Sequence, residues 1–191
     1  MLIYLHGFNS TPASHKATAL RTYMSQHGLA EEFLCPALPH RPLAAITSIE
    51  SVIERCRSRS ITLVGSSLGG FYATYLAEKH RLRAVLLNPA IYPHRDLMRY
   101  LGPQRNLYSG EAYELTELHV HELAALWTER VDTERYFLLV ETGDEVLDYR
   151  EAVARYAGAR QLVVEGGDHT LQCFAAQIPA ILEFAGLAAH P

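Results

Sequence analysis

Cysteine is scarce in this chain of 191 residues: Cys35, Cys56 and Cys173 are odd in number, widely spaced and free of any Cys-x-x-Cys pair. That pattern supports neither a disulfide framework nor a zinc ribbon, and predicts reduced, mostly buried thiols. No long basic run accompanies the 17 Lys and Arg, which 21 Asp and Glu outnumber to a net charge of −4. A nucleic-acid backbone would find no electrostatic footprint, and no such partner is expected. No apolar run approaches the ~18 residues of a membrane span. Met1-Leu2-Ile3-Tyr4-Leu5-His6-Gly7 also lacks a basic leader, so a cytoplasmic protein with no membrane partner is expected. Internal repeats, low-complexity tracts and Pro/Gly/Ser linkers are missing as well, which predicts one domain over residues 1–191. Oligomeric state is left open.

What is present is ordinary globular composition, 49% hydrophobic and 20% charged, enough to bury a core. Short apolar runs alternate with stretches of helical period, as strands and crossover helices do in a parallel sheet. Six strands are read at Leu2–Leu5, Glu32–Cys35, Ile61–Gly65, Ala84–Leu87, Tyr136–Glu141 and Gln161–Glu165. Most lack polar alternation, as strands covered on both faces do. Helices are read at Pro12–His27 (capped by Ser10 or Thr11), Leu43–Arg57, Leu68–Lys79, Tyr149–Tyr156 and Leu171–Phe184. Residues 91–133 break the alternation and carry several tyrosines and Trp127, which suggests an inserted small helical cap.

Gly65-Ser66-Ser67-Leu68-Gly69 follows one of these strands and opens a helix, the context a Gly-x-Ser-x-Gly nucleophile elbow requires. The glycines permit a turn that would crowd larger side chains, and their register puts Ser67 at its apex and Ser66 beside it. The plain alternative is a small-residue turn that only starts a helix. A serine hydroxyl needs a base to become a nucleophile, and histidine is the usual one. In this fold the chain order is Ser, then Asp or Glu, then His on the loop after the last strand. Of ten histidines, His169 in Glu165-Gly166-Gly167-Asp168-His169 suits that place, whereas His190 lies near the C-terminus. Asp144, just beyond the strand Tyr136–Glu141, is the candidate to orient the imidazole, with Glu145, Asp148 and Asp168 as rivals. Backbone N–H groups of Leu68 and of Phe8, in His6-Gly7-Phe8-Asn9-Ser10, are the candidate oxyanion donors. His119 and His121 form a His-x-His pair without a third ligand of suitable spacing, so no metal site is assigned.

The segments Tyr4-Leu5-His6-Gly7-Phe8-Asn9-Ser10, Gly65 to Thr74, Leu87-Asn88-Pro89-Ala90 and Thr142 to Arg150 closely resemble the YqiA-like esterases. The likeness runs from Leu2 to about Gly186. It implies a compact bacterial α/β-hydrolase with esterase activity favouring short acyl chains. Its catalytic serine, acid and histidine would fall on Ser67, Asp144 and His169.

The sequence therefore predicts an α/β-hydrolase fold and a serine esterase acting on a small-molecule ester, with no cofactor. Two alternatives remain. One is an acyl-CoA thioesterase using the same triad, with Arg95, Arg99 and Arg105 available to phosphates. The other is a ligand-binding module on the same scaffold, since fold does not fix function.

Overall fold

The aliphatic runs at the centre of the chain's sheet form strands because covering elements lie on both sides. In the computed structural model, which describes residues 1–106 and 108–187, the strands build one six-stranded parallel sheet. Its strands are β1 (Leu2–Leu5), β2 (Phe33–Leu34), β3 (Thr62–Ser66), β4 (Arg83–Leu87), β7 (Tyr136–Glu141) and β8 (Arg160–Val164). The spatial order is β2-β1-β3-β4-β7-β8. Between β4 and β7 lies a separate antiparallel hairpin, β5 (Gly102–Arg105) and β6 (Ala112–Leu115).

Side chains on a strand point alternately to opposite faces. Ile3, Leu5, Tyr136, Leu138 and Val140 enter one core with α2 (Pro42–Arg55), α3 (Leu68–His80) and α6 (Tyr149–Arg155). Leu2, Tyr4, Val64, Phe137 and Leu139 enter the other with α1 (His15–Gln26) and α7 (Phe174–Ala185). Both faces are covered, hence the unbroken apolar runs. The edges differ: β2 is only two residues long, and Val163 on β8 is 43% exposed. The expectation of full burial thus fails at β8, which has a neighbour on one side only.

Several expected boundaries move for local reasons. Helix α1 starts at His15, because Thr11–Ser14 forms a turn with Ser14 N–H donating to Thr11 O. Helix α7 starts at Phe174, three residues later than expected from Leu171. Leu171 has φ +58°, and the N–H groups of Gln172 and Cys173 donate to the Glu141 carboxylate, so a helix cannot run through them. The helical segment expected at residues 91–133 also carries a β-hairpin. Residues 91–133 contain α4 (Pro93–Asp96), a 3-10 turn at Leu97–Tyr100, the hairpin β5–β6 and α5 (Glu117–Ala125). Gly102 at φ +109° and Gly110 at φ +75° supply the turns that helical periodicity obscures. The three thiols are half-buried rather than buried. Among the described residues, no helix is long and apolar enough to cross a membrane.

Candidate active site

All six sheet strands run parallel, so the loops after β1, β3, β7 and β8 gather at one edge. Strand β3 ends in a sharp turn. Ser67 there has φ 54° and ψ −121°, a conformation that costs roughly 1–3 kcal/mol and must be held by its surroundings. Ser67 N–H donates to Leu87 O at 3.1 Å, and Ser67 O accepts from Gly70 and Ala90 N–H at 2.9 and 3.0 Å. The turn is tight enough that a Cβ on Gly65 would meet Gly69 O at 2.3 Å, and one on Gly69 would meet Leu5 O at 2.0 Å.

The three groups singled out in sequence meet here. Ser67 Oγ lies 3.2 Å from His169 Nε2, and His169 Nδ1 lies 2.8 Å from Asp144 Oδ2. A carboxylate facing Nδ1 fixes the proton there and leaves Nε2 as acceptor for the serine hydroxyl. The Asp144 side chain is almost fully buried and its other oxygen accepts from Val146 and Leu147 N–H, each at 2.9 Å.

The rival acids are occupied elsewhere. Glu145 accepts the backbone N–H of His169 at 3.0 Å. Asp148 caps α6 by accepting from Arg150 N–H at 3.0 Å. Asp168 accepts from Thr170 N–H and Gln172 Nε2. His190 lies outside the described residues.

Phe8 and Leu68 flank Ser67 in one cleft. Among the described residues, neither of their backbone N–H groups donates to a protein acceptor. The loop bearing Phe8 approaches so closely that a Cβ on Gly7 would lie 3.1 Å from Ser67 Cβ. His6 anchors it: Leu38 N–H donates to Nε2 at 3.1 Å, which puts the proton on Nδ1 beside Gly7 O. Burial lowers the His6 pKa from its ordinary value, keeping the ring neutral.

Two residues without an assigned role in the sequence hold the histidine loop. Asn88, at φ 40°, accepts Glu141 N–H on Oδ1 at 3.0 Å and donates from Nδ2 to Asp168 O at 3.0 Å. Glu141 is 1% exposed, and its carboxylate accepts N–H groups of Asp168, Gln172 and Cys173 at 2.7–2.9 Å. Burial pushes its pKa up, but those three donors outweigh it and hold the group below the ordinary glutamate value. The signal for Glu141 was an acid closing a wholly apolar strand.

Two unlike clefts share Phe8, Asn9, Ser67 and His169. One is walled by Pro93, Leu97, Tyr100 and Leu147. The other contains Ser10, Ser14, His15, Lys16, Tyr108 and Thr170. Of the three arginines considered in sequence, only Arg99 lines either cleft. Arg95 pairs with Asp96 and Glu151, and Arg105 donates to Gly110 O. His119 Nδ1 accepts the Thr116 N–H at the start of α5. Among the described residues, no group of three or more His, Cys, Asp or Glu is placed to hold a metal ion.

Comparison with solved structures identifies this architecture as the α/β-hydrolase fold. Alpha/beta hydrolase domain-containing protein 10 from mouse superposes with a TM-score of 0.73 at 15% identity, over 97% of this chain and 89% of that one. Est1E from Butyrivibrio proteoclasticus, solved with ferulic acid, gives 0.70 at 16% identity, over 96% and 86%. A UPF0227 protein of Pectobacterium atrosepticum is 24% identical over 98 residues, 51% of this chain and 54% of that protein. A second, from Pectobacterium carotovorum, aligns to the same extent, so the chain matches about half the length of these curated relatives. The uncharacterised protein family UPF0227 matches residues 1–186, and the chain belongs to that family, the YqiA family.

Proposed function

We propose that this protein is a serine esterase that hydrolyses small acyl esters through an acyl-enzyme on Ser67. The observation that carries the reading is the unbroken chain from Ser67 Oγ through His169 to Asp144, at 3.2 and 2.8 Å. Ser67 Oγ attacks the ester carbonyl while His169 Nε2 takes its proton. The carbonyl electron pair moves onto oxygen, where the Phe8 and Leu68 N–H groups stabilise it, one such donor being worth about 3 kcal/mol in comparable sites. Collapse expels the alkoxide, which leaves as the alcohol with the proton from Nε2. Water then attacks the acyl-enzyme, His169 again accepts and returns a proton, and the carboxylic acid departs. Asp144 keeps the imidazole in the right tautomer and stabilises its protonated form throughout.

The apolar wall of Pro93, Leu97, Tyr100 and Leu147 suits a short acyl chain. A thioester substrate is the second reading, favoured by Arg99 at the rim of that cleft and weakened by the prior engagement of Arg95 and Arg105.

A fluorophosphonate probe and p-nitrophenyl butyrate test the proposal, with Ser67→Ala and Ser66→Ala compared to the parent. An adduct on Ser67, and turnover lost only in Ser67→Ala, are expected. An acyl-chain series, a feruloyl ester and an acyl-CoA then separate the substrate classes. If the parent protein neither labels nor turns over any of them, the non-catalytic ligand-binding reading replaces this one.

A further inference from the structure

The hairpin β5–β6 grips the loop that carries Phe8. Tyr113 Oη donates to Asn9 Oδ1 at 2.8 Å, and Asn9 Nδ2 donates to Gln104 Oε1 at 3.2 Å. Gln104 is held in turn, because its Nε2 donates to Tyr100 O at 2.6 Å. One residue further along, Asn106 Nδ2 donates to Ser10 O at 2.9 Å.

Both ends of the Asn9 amide are therefore engaged, by partners on two neighbouring strands. Asn9 itself has φ 52°, a left-handed conformation that asparagine tolerates better than most side chains. The Tyr113 ring stacks on His40 with centroids 4.4 Å apart, which fixes its direction. Burial, with the Glu111 charge adding to it, pushes the Tyr113 phenol up to about 12, so it remains a donor at neutral pH.

Asn9 directly follows Phe8 and lines both clefts beside Ser67. We infer that the hairpin is a brace, and that Asn9 is a positioning residue through which Tyr113 and Gln104 aim the Phe8 N–H at the tetrahedral oxygen. The inference rests on the serine-esterase reading above. A hinged lid would have to break all of these bonds at each opening; a brace keeps them through the cycle.

Tyr113→Phe removes one bond and keeps the ring, while Asn9→Gly removes both bonds of the Asn9 amide, leaves the Asn106–Ser10 bond and accepts the same φ. Each is expected to lower kcat for p-nitrophenyl butyrate about tenfold with KM within about twofold, the pattern of a misplaced transition-state donor. Phenylboronic acid, which forms a tetrahedral adduct on the nucleophilic serine, should lose affinity by a similar factor. The double variant should be no worse than Asn9→Gly, since Asn9→Gly already removes the bond that Tyr113→Phe deletes.

An active parent whose variants keep kcat and boronate affinity would overturn the brace and leave the esterase standing. A raised KM at constant kcat would also overturn it, by making Asn9 a ground-state contact. A parent protein inert towards esters and the fluorophosphonate probe would instead remove the esterase reading itself. Should Asn9→Gly fail to fold, Tyr113→Phe decides alone.

Discussion

A Cβ built on Gly167 would lie 1.9 Å from Glu141 Oε2, the oxygen that accepts the N–H groups of Asp168 and Gln172. Gly167 also has φ +68°, so its lack of a side chain is needed twice. Gly167→Ala should push the carboxylate aside and release the loop that holds His169. Esterase activity is expected to fall about 100-fold, the scale of an ångström-sized misplacement. Faster hydrogen exchange at the Asp168, Gln172 and Cys173 amides would accompany the loss.

Asp144→Asn should keep the packing but present an amide to Nδ1 and disturb the tautomer. A drop in kcat of about 10⁴-fold is expected, as for the same exchange in a serine protease with such a triad. Glu145→Gln alters the acceptor of the His169 backbone N–H and should cost less than about tenfold. Comparing kcat for the two variants decides which acid serves the imidazole.

Stability should depend on pH in two stages. His6 and His119 are both held below the ordinary histidine value, 6.5, chiefly by burial. Glu141 and Glu122 are held below the ordinary glutamate value, 4.5, by hydrogen bonds that outweigh their burial. A group depressed in the folded state binds fewer protons there than when unfolded, so stability rises with pH across its window. The unfolding midpoint should be level above neutrality, begin to fall as pH drops through 6.5, and fall further below 4.5 towards the depressed values. A thermal melt series from pH 8 to pH 3 reads this directly; a midpoint that rises on acidification would contradict it.

Two glycine substitutions should separate crowding from backbone strain. Gly69→Ala drives a Cβ to within 2.0 Å of Leu5 O, between helix α3 and strand β1, where backbone would have to move. A loss of more than about 3 kcal/mol is expected, or failure to fold. Gly28→Ala meets nothing within 4 Å and costs only its left-handed conformation at φ +74°, about 1 kcal/mol. Urea midpoints measure both.

The sheet was legible because strands covered on both faces leave unbroken apolar runs, as Tyr136–Glu141 and Leu2–Leu5 do. Ser67 and His169 could be read because glycines at fixed offsets report tight turns. The hairpin escaped because β5 reads Gly-Pro-Gln-Arg, with neither alternation nor β-branched residues, and is held by its partner strand and by contacts to Asn9 and Ser10. Asn88 and Glu141 escaped as supports because their work is done on backbone groups more than twenty residues away, and no local pattern records such partners.

Strands β4 and β7 are immediate neighbours, yet the chain leaves the sheet after Leu87 and returns only at Tyr136. The whole excursion is therefore a detour hung on a single crossover, and its length is invisible to the strands' register. Enlarging or exchanging it would reshape the cleft mouth while Ser67, Asp144 and His169 stay on loops the detour does not contain. A chimera carrying a relative's detour should keep its reactivity towards the fluorophosphonate probe and take on the donor's ranking of esters, provided the graft retains Asn88, which ties Glu141 to the histidine loop, and brings partners for both ends of the Asn9 amide.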